Sequence, residues 1–356
     1  AEFWSSVSPN GGTLLYQAIR GERFTWAPEK SLLFTKPLRA KGQPIRLAAE
    51  AFEAQWSPNG ERIGFLREAG QTPNLWTINA AGGEEHRLTA SNIRSNPYRN
   101  SPPFNTVYPK VWGWSPDSRR IAYCASQNGV ANVWTAPADG SRTTRVTSNL
   151  DRALKFDSPF WSPDGLRLAF VSEAGVTSNS GKQTQSLWVT NGETPEMIFQ
   201  TESVLRFLGW SGNDRLLAAV ADEFTVQPTT VKLLSLTLAG MGASGKTGGI
   251  QSWQSWQNWQ NWLGSLSETY WVNLHLSPNG HGVGFVKASN GRNDIWLAPI
   301  YVTPGGGARM MAARKLTNNG DPSFFFSSLA WSPDGKTIYY DKQTRWNLLT
   351  MIENLN

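Results

Sequence analysis

Trp331-Ser332-Pro333-Asp334-Gly335, followed at once by Lys336-Thr337-Ile338-Tyr339-Tyr340, decides how this chain folds. An aromatic residue ends one strand, Ser-Pro-Asp-Gly makes a tight turn, and a short apolar strand leaves it. Proline presets φ at the second turn position, and Asp and Gly tolerate the left-handed conformations that follow. One such turn would specify only a hairpin. The device recurs at Val7-Ser-Pro-Asn-Gly11, Trp56-Ser-Pro-Asn-Gly60, Trp114-Ser-Pro-Asp-Ser118, Trp161-Ser-Pro-Asp-Gly165, a degraded Trp210-Ser-Gly-Asn-Asp214 and Leu276-Ser-Pro-Asn-Gly280. The lead residues stand 47 to 66 residues apart.

Each repeat reads as four strands, A to D. Strand A precedes the turn. Strand B follows it, as in Arg62-Ile-Gly-Phe-Leu66, Arg120-Ile-Ala-Tyr123 and Arg167-Leu-Ala-Phe170. Strand C carries an apolar-Trp pair at Leu75-Trp76, Val133-Trp134, Leu187-Trp188 and Ile295-Trp296. Strand D ends on a basic-apolar-Thr signal at Arg87-Leu-Thr89, Arg145-Val-Thr147 and Lys315-Leu-Thr317. Repeats of this length, rich in β-branched and aromatic residues with Gly, Asn and Asp punctuation, predict an all-β fold, a β-propeller. The strand C tryptophans read as packing between blades. The expectation is one domain over residues 1–356 with seven four-stranded blades; six with an irregular end is the alternative. Repeat seven reaches strand C at Asn347–Ile352 and then ends. Either residues upstream of Val7 complete the last blade, or that blade keeps three strands.

Composition excludes several classes. Lys plus Arg number 33 against 27 Asp plus Glu, a net charge of +6. That balance favours anionic partners. With no run of five basic residues, nucleic acid is not the expected one. The single cysteine, Cys124, excludes an internal disulfide and reads as a small buried apolar group. Three scattered histidines, His86, His275 and His281, do not make a zinc cluster with one cysteine. No metal and no cofactor is expected. No apolar run approaches the ~18 residues of a membrane-spanning helix. Beginning at Ala1 without a signal-like run, the chain reads as a processed form or as part of something longer.

Trp-Ser-Pro-Asp-Gly, then Ile-x-Phe/Tyr, Leu-Trp-x-x-Asn, Gly-Gly and Arg-Leu-Thr together resemble the TolB-type WD40-like (PD40) repeat over nearly the whole chain. The last repeat, from Phe326 onward, is similar to propellers fused to bacterial serine/threonine kinases or winged-helix regulators. The resemblance implies a non-catalytic interaction module in a bacterial, periplasmic or otherwise extracytoplasmic setting. The small α/β domain that precedes the propeller in TolB, and the fused kinase or DNA-binding partner, have no counterpart in this sequence.

Two unusual stretches fall in the fifth repeat. Gly240-Met-Gly-Ala-Ser-Gly-Lys246-Thr247 matches the Walker A pattern, but a phosphate-binding loop needs a helix next. Gly248-Gly249-Ile250 and a Trp/Gln/Asn/Ser tract follow, so a flexible loop is expected. In that tract Trp253, Trp256, Trp259 and Trp262 recur every third residue, within an insertion at about 240–265. One strand D must lie here, so one or two of these rings are structural. The others suit docking to a protein or to a membrane–water boundary.

Loops from strand D to the next strand A share an end of the blades with the B-to-C loops, and that end is the expected partner face. The longest, Ser91 to Lys110, carries Arg94, Tyr98, Arg99, Tyr108 and Lys110. Arg152, Lys155, Arg206, Phe324 and Phe325 come from other repeats. Arg and Tyr suit protein hot spots and anionic groups. No catalytic constellation emerges, since Asp334 belongs to a repeated turn and the histidines fall at unlike repeat positions. A protein-binding scaffold or accessory subunit is therefore the first expectation. An extracytoplasmic sensor for a carbohydrate or small anion is the alternative.

Overall fold

The computed structural model describes residues 2–19, 31–38, 42–69, 72–89, 92–93, 110–174, 183–221, 231–238, 253–255, 274–289, 292–302, 308–321, 323–332 and 334–344. Among them the chain divides into two compact units, one ending at Pro159 and the other beginning at Phe160.

Unit one holds three blades. The first is β1 (Glu2–Val7), β2 (Thr13–Ile19), β3 (Ser31–Pro37) and β4 (Ile45–Ala49), in spatial order β1-β2-β3-β4. The second is β5 (Ala51–Trp56), β6 (Arg62–Ala69), β7 (Thr72–Asn79) and β8 (His86–Arg87). The third has five strands: β9 (Asn92–Ile93), β10 (Trp112–Trp114), β11 (Arg120–Gln127), β12 (Val130–Pro137) and β13 (Thr144–Arg145). Both β9 and β10 pair with β11. The stretch expected as a D-to-A loop from Ser91 therefore begins with two residues of the first strand, and the excursion interrupts that strand.

A fourth sheet consists of β14 (Lys155–Trp161), β15 (Leu168–Ala174), β16 (Thr184–Thr190) and β17 (Glu196–Thr201). Unit two continues with β18 (Val204–Trp210), β19 (Arg215–Ala221), β20 (Val231–Thr237) and β21 (Trp253–Ser255). Next come β22 (His275–Leu276), β23 (Gly282–Ser289), β24 (Arg292–Val302), β25 (Ala308–Met310) and β26 (Arg314–Lys315). A hairpin of β27 (Phe324–Trp331) and β28 (Ile338–Thr344) ends the series.

The described residues thus make six blades of four or five strands and a two-stranded end. That corrects the expectation of seven four-stranded blades to its alternative of six. The seventh turn copy does form strands A and B, but Asn347–Ile352 lies outside the described residues. Residues upstream of Val7 serve the first blade, with Val7 opposite Leu14.

The turn motif earns its residues one by one. At Ser332 the N–H donates to Thr337 O (2.8 Å). The Ser332 Oγ accepts Thr337 N–H (2.8 Å) and donates to Asp334 Oδ1 (2.6 Å). Asp334 Oδ1 then accepts Lys336 N–H (3.1 Å). Ser57 and Asn59 repeat the same set. The fifth residue takes positive φ, 75° at Gly60 and 68° at Gly335; Ser118 bears it at 61°.

Thr89, Thr147 and Thr317, the ends of the basic-apolar-Thr signals, each accept a strand C amide through Oγ1: Leu75 at 3.0 Å, Val133 at 3.0 Å and Ile295 at 2.9 Å. The first strand of several blades carries an irregular register, between Phe52 and Gln55, Phe207 and Gly209, and Phe326 and Leu329. Such bulges twist a strand without breaking its sheet, and nothing in the sequence periodicity marks them.

The core lies between successive sheets. In unit one, Leu15 and Leu33 of the first blade pack on Ile63 and Phe65 of the second. Phe52, Leu66 and Leu75 of the second pack on Trp112, Ile121 and Tyr123 of the third. In unit two the same arrangement joins Val171 and Leu187 to Phe207 and Leu216, then Leu217 to Val283 and Phe285. Val286 and Ile295 close onto Leu329 and Ile338. Cys124 is buried. Trp76, Trp134 and Trp296 of the C strands pack half-buried against these clusters, and strand B cations stand over two of the rings: Arg67 is 4.8 Å from that of Trp76 and Lys287 5.7 Å from that of Trp296. Among the described residues Trp112 is fully buried, and its ring lies over Gly64.

Candidate partner-binding face

In unit one the β11–β12 hairpin closes through Asn128-Gly129, at φ 53° and 81°. This is the two-residue turn for which Asn-Gly is preferred. A β-carbon on Gly129 would lie 3.9 Å from Arg152 Cδ and Nε, so the Arg152 side chain runs beside the turn. A B-to-C turn and the following D-to-A loop thereby meet.

Asn149 holds that loop. Its Nδ2 donates to Ala131 O (2.9 Å) and Asp151 O (2.8 Å), and its Oδ1 accepts Asp151 N–H (2.9 Å). Its own N–H donates to Asn132 Oδ1 (2.9 Å), and Asp151 Oδ1 accepts Ala153 N–H (2.8 Å). On this tied backbone Leu150 is 85% exposed. Arg152 and Lys155 are exposed beside it in the sequence. Lys110, also exposed, accepts the Ser158 N–H on its carbonyl at 2.6 Å, which sets the segment leading into β10 beside β14.

In unit one Leu150 and Arg152 lie in the loop before β14, Lys155 opens β14, and Lys110 lies just before β10. Exposed leucine, arginine and lysine side chains on such a tied loop can bury apolar area against a partner and meet its carboxylates. Leu150 was missed from the sequence. Its signal was an apolar residue between Asn149 and Asp151, both of which tie turns through their side chains.

The other expected residues are spread out. Arg206 lies in β18 of unit two, half-buried, and donates through Nη2 to Leu274 O at 3.3 Å. Burial pushes its guanidinium down to about 9, which leaves it charged at neutral pH. Phe324 and Phe325 open β27 opposite Thr344 and Gln343. Trp253 starts β21 opposite Leu236, so the Trp tract does supply the fourth strand of its blade. Arg94, Tyr98, Arg99, Tyr108, Trp256, Trp259, Trp262 and the Walker-like loop fall outside the described residues.

His86 lies in β8, His275 in β22 and His281 in the turn before β23. Among the described residues no group of three or more His, Cys, Asp or Glu could hold a metal ion. Nor is any described helix long and apolar enough to cross a membrane.

No family model matches the chain. Over 147 residues it is 29% identical to the Tol-Pal system protein TolB of Anaeromyxobacter dehalogenans, covering 40% of this chain and 28% of that protein. An uncharacterized protein of Agrobacterium fabrum is 30% identical over 117 residues, 33% of this chain and 34% of the relative. The matched stretches thus span about a third of those relatives' lengths. Among solved structures, the β-propeller domain of the trilobed protease from Pyrococcus furiosus superimposes with a TM-score of 0.58 at 13% identity. The match covers 97% of this chain and 93% of that domain. At that identity the likeness shows the fold alone, a β-propeller.

Proposed function

We propose that this chain is a non-catalytic, protein-binding propeller, a scaffold or accessory subunit of a larger bacterial assembly outside the cytoplasm. The observation that carries the reading is Leu150 held 85% exposed on the Asn149-tied loop, with exposed Arg152 and Lys155 close in sequence. Burying one leucine is worth about 1.5–3 kcal/mol, and the nearby arginine is of a type enriched at interface hot spots. Similarity to a Tol-Pal system protein over 40% of the chain supports an assembly role. The partner that fits has an apolar socket with acidic residues at its edge. The tract from Trp253 to Trp262 is proposed as a second docking element, toward a protein or a membrane-associated partner.

Crosslinking mass spectrometry in native membrane and soluble fractions tests this. One recurrent partner linked to Lys110 and Lys155 is expected. A variant with Leu150→Asp, Arg152→Glu and Lys155→Glu should lose it while melting at the wild-type temperature. Unchanged partner recovery by that variant would refute the face.

A further inference from the structure

In unit two, between the sixth blade and the β27–β28 hairpin, lies a cavity of about 220 Å³. Its origin is legible in the repeat. The residue five after the turn serine is Arg62, Arg120 and Arg167 in three blades, and Gly282 in the sixth. In the fourth blade the arginine crosses to the next turn, where Arg167 Nη1 donates to Asn213 O at 2.7 Å. At Gly282 no side chain spans the corresponding gap. A β-carbon there would meet Leu297 Cδ1 at 3.1 Å and the Trp331 ring at 3.7 Å, two walls of the cavity.

The lining has two faces. Leu297, Pro299, Trp331 and Ile338 form an apolar wall. Trp331 is fixed there, its Nε1 donating to His275 O at 3.0 Å. His281, Arg314 and Lys336, all exposed, supply the polar side. No Asp or Glu is among the described lining residues. The neighbouring Asp334 has its Oδ1 occupied by Ser332 Oγ and Lys336 N–H.

We infer that this cavity binds a small carboxylate with an apolar or aromatic body, in the slot that Arg167 fills in the fourth blade. An arginine fork and a lysine suit a carboxylate, while the indole and aliphatic wall suit a flat apolar body. A cavity of about 220 Å³ has room for a benzoate. The ligand does not depend on the protein-binding reading, since its residues lie in another unit from Leu150 and Arg152.

Titration of the intact chain with benzoate, followed by calorimetry, is the test. Saturable binding is expected, weakened about tenfold or more in Gly282→Arg, which restores the repeat's own residue. Arg314→Gln with Lys336→Gln should weaken it about fivefold or more, with the melting temperature held; this pair keeps the test open if Gly282→Arg fails to fold. Benzamide should bind far less well. Five results would overturn the inference: no saturable benzoate binding, equal binding by Gly282→Arg, equal binding by the Arg314→Gln, Lys336→Gln pair, equal binding of benzamide, or inorganic phosphate binding as tightly as benzoate.

Discussion

Gly280 approaches Ser211 so closely that a β-carbon on it would fall 2.6 Å from the Ser211 Cα, and Ser211 Oγ donates to the Gly280 carbonyl at 3.0 Å. Successive turns nest here, backbone against backbone, with no flexible side-chain end to yield. Gly11 occupies the same turn position at nearly the same φ, 70° against 72°, with nothing within 4 Å. The pair separates two costs. Gly11→Ala should lose about 1–2 kcal/mol, the left-handed backbone term alone. Gly280→Ala should lose about 1–3 kcal/mol more through overpacking. Urea unfolding of the two variants measures the difference, and equal losses would show that the nesting is loose.

The repeated threonines act as substitute ladder acceptors. Thr147 Oγ1 accepts the Val133 amide and donates to Asn132 Oδ1 at 2.8 Å, in a buried setting. Thr147→Val keeps the shape and removes the acceptor, so the Val133 N–H is left dry. A loss of about 1–3 kcal/mol is expected. Thr147→Ser should recover most of it. Denaturation midpoints decide, and a valine variant as stable as wild type would deny the threonines this role.

Acid should act through the turns. The Ser332 hydroxyl, then the Lys336 amide, hold the Asp334 carboxyl below the usual carboxylate range. At Asp117 burial pushes upward, but the Ser115 hydroxyl and Arg119 amide outweigh it and the net direction is also down. A carboxyl lowered in the folded state contributes stability that is complete above its unfolded value, about 3.9. That stability is lost as pH falls through the lower folded value. Asn fills this position at Asn10, Asn59 and Asn279 and accepts the same serine hydroxyl. The double variant Asp117→Asn, Asp334→Asn should therefore melt near the wild-type temperature at neutral pH. Below about pH 4 it should lose less stability than wild type. Parallel melting curves at both pH values would remove the turns from the acid response.

Much of this molecule could be read from its sequence because its local chemistry repeats. The Ser-Pro-Asp/Asn-Gly turn, the apolar B strand and the closing threonine each perform one hydrogen-bonding or packing task, and repetition made the task visible. What stayed hidden depends on relations between repeats. The register shift between Phe52 and Gln55, and the splitting of a strand into Asn92–Ile93 and Trp112–Trp114, leave periodicity intact. The strand C tryptophans Trp76, Trp134 and Trp296 do pack on the clusters between sheets, but they are only half-buried, and Arg67 and Lys287 stand over the Trp76 and Trp296 rings. Leu150 escaped for the opposite reason: a leucine in a polar loop reads as unremarkable until the loop is seen to be tied.

That tie gives the last prediction. Asn149 fastens Asp151 through both its amide and its carbonyl, and reaches back to Ala131 O across the base of the loop. Asn149→Ala removes three side-chain bonds and leaves Leu150, Arg152 and Lys155 in place. About 1 kcal/mol per lost bond is the ordinary net scale. For an exposed loop most of that loss should be local, with global unfolding shifted by less than the sum. Hydrogen exchange at Asp151 and Ala153 should accelerate strongly while Val133 and Cys124 stay protected. If partner binding draws on a preorganised loop, affinity should fall because ordering costs then come due on association. A variant with fast exchange at Ala153 and wild-type partner affinity would place the binding energy elsewhere than Leu150.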